Sequence, residues 1–205
     1  MRGNSDIQAV VIDEGIVSVG DYVFENCKNM KNITLPPSLT SIGQAAFMQG
    51  DNYIGEVCGL TNIAIPSKVT SISGSAFWGA AIESLVILDS VTEIGKYAFR
   101  DCTALKKVTI NGTVIGEFMF VSCTKLSNFT IGSKLKKIGS NVFNYCSALK
   151  LITYDGTLAQ WQTIEKGNNW DGKSAMDIAK SGLTKIQCTD GYLEYADGTW
   201  NEVKE

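Results

Sequence analysis

Histidine is absent from all 205 residues. Its absence removes every Ser-His-Asp or Cys-His relay. A zinc site would have to use cysteines or carboxylates alone, and no Cys-x-x-Cys occurs among the six cysteines. No run of eighteen apolar residues is present, so no membrane-spanning helix is expected. Glycine-rich phosphate-binding patterns are missing too. Asp13, Glu14 and the acids of the tail fall on predicted turns and show no paired placement for acid–base work. A net charge of −3 and the lack of any nucleic-acid motif argue against a nucleic-acid partner. No catalytic residue, cofactor or metal is therefore expected. Residues 1–6 carry no apolar leader segment; the expectation is a processed form or an excised fragment.

What the chain does have is a recurring phenylalanine. Phe24, Phe47, Phe77, Phe99, Phe120 and Phe143 follow one another at intervals of 23, 30, 22, 21 and 23 residues. Cys27, Cys102, Cys123 and Cys146 stand three places after four of them. A period just above twenty residues marks stacked repeats. Aligning on the phenylalanines reveals the whole unit. Ile33-Thr34-Leu35-Pro36, Leu39, Ile42-Gly43 and Ala46-Phe47 make one copy. Val108-Thr109-Ile110, Ile115-Gly116, Phe120, Cys123 and Leu126 make another.

Each apolar-x-apolar triplet reads as a short strand with its outer residues buried and its middle residue facing solvent. Thr34, Thr109, Thr130 and Thr153 hold that middle position, where a β-branched polar residue fits well. Gly20, Gly43, Gly95, Gly116 and Gly139 mark corners needing either a positive φ or a close backbone approach. The Phe and Cys-x-x-Leu columns fill the interior. The cysteines share one inward-pointing column, which favours buried free thiols over disulfides. Cys58 and Cys188 fall off the column.

The Ile-x-Ile-Pro, Ile-Gly, Ala-Phe and Cys-x-x-Leu elements resemble the BspA-like branch of the leucine-rich repeats, over about residues 10 to 154. The resemblance implies an α/β leucine-rich repeat solenoid, curved and right-handed, with short parallel strands and few short helices. It further implies a bacterial cell-surface or secreted protein that binds host proteins or other cells. It transfers no catalytic residue.

The expected organisation is a solenoid over 1–154, with about six repeats of 21–23 residues, and a C-terminal capping segment over 155–205. The 30-residue interval between Phe47 and Phe77 places an insertion at 48–58. That insertion reads as tolerated surface variation or as a contact loop using Asp51 and Tyr53. In the tail, 158–164 and 174–182 read as short helices, and 184–195 as a hairpin around Asp190-Gly191. Trp161 and Trp170 read as a lid over the stack or as a sugar-stacking platform.

Charge is uneven. Residues 102–150 hold seven lysines against Glu117 alone, whereas 1–101 hold 6 basic and 11 acidic side chains. Lys106, Lys107, Lys125 and Lys150 precede strands. They form either a patch for an anionic glycan or acidic protein or a solvated flank. The candidate ligand contacts are Asn32, Thr34, Asn62, Lys107, Thr109, Asn128, Thr130 and Thr153, with Tyr53 from the insertion. The expected function is a monomeric adhesion module, extracellular or at the cell surface, facing a host or cell-surface protein. The alternatives are a structural spacer, or a glycan-binding module using Tyr97, Tyr145, Trp161 and Trp170.

Overall fold

The computed structural model describes residues 1–50, 59–173 and 180–204. The chain winds into a β-solenoid in which each full coil has three sides. The triplets form the first side: β1 (Ala9–Val11), β3 (Asn32–Thr34), β6 (Ser84–Ile87), β8 (Lys107–Ile110), β10 (Asn128–Ile131), β12 (Leu151–Tyr154) and β14 (Lys185–Cys188). β1 pairs parallel with β3, and β6, β8, β10, β12 and β14 pair parallel in succession. A parallel bridge from Asn32 to Asn62 carries the first pair toward the rest.

The second side is narrower. It is built from β2 (Ser18–Val19), β4 (Ser41–Ile42), β5 (Ser71–Ile72), β7 (Glu93–Ile94), β9 (Val114–Ile115), β11 (Lys137–Ile138) and β13 (Glu165–Lys166). These two-residue strands form a four-stranded and a three-stranded parallel sheet. The Thr40, Thr70 and Thr92 hydroxyls each donate to the carbonyl one coil back, of Val17, Thr40 and Thr70. That file of threonines ties coil to coil along the corner.

The third side carries the phenylalanines. Their rings stack in order, with centroids 5.4, 5.1, 5.0, 6.0 and 6.2 Å apart. The Sγ atoms of Cys102, Cys123 and Cys146 donate to the carbonyls of Phe77, Phe99 and Phe120. Cys27, Cys102, Cys123, Cys146 and Cys188 are buried and free. Burial pushes the Cys123 thiol well up and the Cys146 thiol up to about 12. A protonated, enclosed thiol packs as a small hydrophobe.

Of the corner glycines, Gly43, Gly95, Gly116 and Gly139 resolve to close approach and none to positive φ, while Gly20 has room for a Cβ. A Cβ on Gly43, Gly95 or Gly139 would collide with the backbone of the preceding coil. The positive φ values lie two residues later, at Tyr22, Ala45, Ser75, Tyr97, Phe118, Asn141 and Asn169. Five of these seven are neither Asn nor Gly and adopt left-handed backbone at some cost, because it disfavours a Cβ for all but small polar residues; the last two are Asn. Ladder bonds such as Tyr22 N to Gln44 O and Tyr97 N to Glu117 O hold the turn in place.

The coil track runs past Tyr154, beyond where the sequence period ends. Helix α1 (Leu158–Thr163), with a capping box between Thr157 and Gln160, occupies one corner. β13 then pairs with β11, Gly167 abuts Ser140, and Asn169 takes the left-handed turn. Where earlier coils carry Phe, two residues past that turn, stands buried Asp171, which accepts Trp200 Nε1 at 2.8 Å. β14, β15 (Gly191–Ala196) and β16 (Thr199–Lys204) close the sheet as antiparallel strands. α1 is the one helix among the described residues. The helix expected at 174–182 lies largely outside them, as does the insertion core with Tyr53 and Cys58.

The start of the chain also belongs to the track. Met1 lies 23 residues before Phe24, and its carbonyl accepts Cys27 Sγ at 3.2 Å, as the phenylalanine carbonyls do elsewhere. Gly3 N donates to Glu25 O just as Asn26 N donates to Met48 O. Residues 1–8 are thus the trailing part of a coil, covering only the third side of the first complete one.

Candidate functional site

The first side presents two outward columns. Parallel register sets Val86, Thr109, Thr130, Thr153 and Gln187 side by side in one. Ser84, Lys107 and Asn128 line the other, and Asn32 and Asn62 continue it beyond β6. Strands alternate their side chains, so Val108, Phe129 and Ile152 point inward and are buried while these columns face out. Asn32, Thr34, Asn62, Lys107 and Asn128 are exposed; Thr109, Thr130 and Thr153 are half-buried by their neighbours. The fold therefore brings eight of the nine sequence-predicted contact residues onto one face. Tyr53, the ninth, lies outside the described residues.

The lysine-rich stretch flanks this face. Lys106 is paired with Glu83 at 3.0 Å, whereas Lys107, Lys125 and Lys150 form no ion pair among the described residues. Other lysines are neutralised on different sides: Lys96 by Glu117 and Lys137 by Glu165, each pair exposed. Lys107, Lys125 and Lys150 thus leave positive charge uncompensated beside the long sheet.

The four aromatics considered for sugar stacking are not gathered. Trp161 and Trp170 are buried, packed edge to face at 5.7 Å, and cover the end of the core. Tyr97 lies between Trp78 and Phe118, with the Arg100 guanidinium over both Trp78 and Tyr97. Only Tyr145 is exposed. The Trp78–Tyr97–Phe118 file was hidden in the sequence because Tyr97 and Phe118 align with Ala45 and Ser75 in other coils. A second feature without a simple sequence signal is a notch. Ile110 to Ile115 is two residues shorter than Ile87 to Ile94, and Lys134 reaches across to Asp89 at 2.7 Å. Lys134 holds the Asp89 carboxyl below its ordinary value.

No group of three or more Cys, Asp or Glu among the described residues is arranged to hold a metal ion. No described helix is long and apolar enough to cross a membrane. What remains is an extended outward surface on a rigid stack.

Comparison with known families agrees with this geometry. The family description BspA type leucine rich repeat region matches residues 3–54 and 50–164, with six copies. The chain belongs to this family. A leucine-rich repeat protein from Treponema pallidum is similar over 78% of this chain and 73% of its own length, with 23% identity and a TM-score of 0.62. A leucine-rich repeat protein from Bacteroides ovatus shares 23% identity over 91% of this chain, with a TM-score of 0.52. The pneumococcal vaccine antigen PcpA shares 18% identity over 78% of this chain, with a TM-score of 0.55. The chain spans 56% of the Bacteroides protein and 41% of the pneumococcal antigen. These likenesses concern the fold. No curated protein matches the sequence.

Proposed function

We propose that this chain is a non-catalytic recognition module of an exported bacterial protein, secreted or held at the cell surface, that docks a macromolecule on the outward columns of the long sheet. The observation that carries the reading is the in-register array of Lys107, Thr109, Asn128, Thr130 and Thr153 on neighbouring strands. A stack pre-organises such an array, so little conformational entropy is lost on binding. Unpaired Lys107, Lys125 and Lys150 beside it suit a partner protein with an acidic surface. The vaccine-antigen description of one structural neighbour supports exposure outside the cell.

The test is capture of serum and extracellular-matrix proteins by the wild type and by the triple variant K107E/T109E/T130E. All three side chains project from the strands, so the variant keeps the wild-type circular dichroism. The proposal expects a captured partner that the variant loses. Equal capture by both proteins removes the sheet face from consideration. A second reading, a spacer within a longer protein, draws on the partial span of the neighbours' length. It expects no specific partner for either protein.

A further inference from the structure

Of the 18 basic residues, only Arg2 and Arg100 are arginine. Arg100 lies on the third side of its coil, next to Phe99. Its guanidinium carbon stands 4.8 Å over the Trp78 ring and 5.5 Å over the Tyr97 ring. Its Nε donates to Asp101 Oδ2 at 3.2 Å, and Trp78 Nε1 donates to the same oxygen at 2.8 Å. Tyr97 in turn stacks on Phe118 at 4.9 Å. Three half-buried rings thus run along three successive coils, with a pinned arginine–aspartate pair beside them. The terminal nitrogens of Arg100, Asp101 Oδ1 and the Tyr97 hydroxyl bond to no described residue.

The solenoid itself does not require these rings. Tyr97 and Phe118 stand in the left-handed column, at φ 63° and 54°, where other coils carry Ala45, Ser75 and Asn141. Left-handed backbone penalises bulky side chains, and strain kept on a solvent-facing side marks function more than folding. Trp78 shares its column with Met48 and Asn144, so an indole is not demanded there either. Charge at the file is balanced. Arg100 offsets Asp101, and Lys96 is paired with Glu117 at 2.7 Å in the neighbouring column. What the surface offers is a planar fork of N–H donors, a carboxylate acceptor and a phenolic hydroxyl, all set against aromatic carbon.

We infer that the Trp78–Tyr97–Phe118 file, with Arg100 and Asp101, is a binding site for a neutral glycan, separate from the long sheet. A sugar ring has an apolar C–H side and a rim of hydroxyls that both donate and accept. The C–H side packs on the aromatic carbon that the file leaves exposed. One hydroxyl donates to Asp101 Oδ1 while its neighbour accepts from the Arg100 fork. An anion would gain from Arg100 and lose to Asp101 beside it, and a cation meets the reverse. The balanced pair therefore selects a ligand with hydroxyls and no net charge. The file spans three coils, so it suits a short oligosaccharide over a single ring. Stacking and the Asp101 bonds already fix the contact groups, so little side-chain freedom is lost on binding. Of the four aromatics considered for sugar stacking, only Tyr97 takes part.

An array of immobilised neutral and sialylated oligosaccharides tests it, probed with wild type, R100K, D101N and the sheet-face variant K107E/T109E/T130E. The neutral oligosaccharide giving the strongest signal is then titrated against each protein, with tryptophan fluorescence as the readout. Lysine keeps the charge at position 100 without the planar fork. Asparagine tolerates the left-handed backbone at position 101, where φ is 56°. Both variants therefore retain the fold, which circular dichroism checks. The inference expects a neutral oligosaccharide bound by the wild type, a dissociation constant at least about tenfold higher for R100K and for D101N, and wild-type affinity in the sheet-face variant. No neutral oligosaccharide bound above background, binding confined to the sialylated members, wild-type affinity in R100K or D101N, or binding lost in the sheet-face variant would each overturn it. Capture of proteins by the sheet face is a separate measurement, so either site can fail without the other.

Discussion

Replacing Phe99 by alanine probes the aromatic spine at its centre. The ring is fully buried and stacks on Phe77 at 5.0 Å and on Phe120 at 6.0 Å. Losing its transfer from water costs about 1.5–3 kcal/mol. Each ring contact contributes about 0.5–1.5 kcal/mol beyond area. The coils on either side are held by backbone ladders at Phe77 N to Ala98 O and Phe99 N to Met119 O, so the site has little room to collapse. Together these place Phe99→Ala near about 3–5 kcal/mol, the range for truncated core aromatics. Among the described residues Phe24 has one stacked ring neighbour, Phe47 at 5.4 Å. Its truncation should cost about half as much. Urea unfolding read by circular dichroism and by tryptophan fluorescence gives both values. The two probes should also separate in Phe99→Ala, because a weakened central interface lets a repeat array unfold in parts. A loss below about 1 kcal/mol, or equal losses for Phe99 and Phe24, would refute this reasoning.

Other outcomes follow from the same packing. Gly95→Ala drives a Cβ into Gly74 of the preceding coil, so it should cost about 1–3 kcal/mol; Gly20→Ala, which meets only Val23 Cγ2 at 3.5 Å, should stay within about 0.5 kcal/mol in the same urea assay. The Cys146 thiol is held up to about 12 by burial, above its unfolded value of about 8.5. Its contribution to stability is therefore complete below about pH 8.5 and declines as pH rises toward 12, by about 1.4 kcal/mol per unit. Urea midpoints that do not fall between about pH 9 and about pH 11 would contradict that burial. Removing the capping-box hydroxyl with Thr157→Ala should cost about 1 kcal/mol, read as a lower melting temperature.

The columns legible in the sequence are those with one chemical solution. A position enclosed on all sides accepts Phe, Ile or Leu and little else, so Phe47, Phe77 and Leu105 declare themselves by period. The face was legible for the same reason: alternation makes Thr109 and Thr130 outward once Val108 and Ile110 are inward. The left-handed turns were not, because ladder bonds rather than residue type impose them, and Tyr22, Ala45, Phe118 and Asn141 share no composition. The coil beyond Tyr154 was masked by α1, which breaks the spacing, and by Asp171 standing in a phenylalanine position. At the start, Met1 and Asn4 replace Phe and Cys, so the half-coil shows only in its backbone bonds.

The most direct measurement of the central claim is an aromatic NOE spectrum of the protein with selectively labelled phenylalanine. The account predicts ring-to-ring contacts between Phe24 and Phe47, Phe47 and Phe77, Phe77 and Phe99, Phe99 and Phe120, and Phe120 and Phe143. Missing contacts between these successive pairs, or a contact between Phe24 and Phe143, would contradict a single stacked spine.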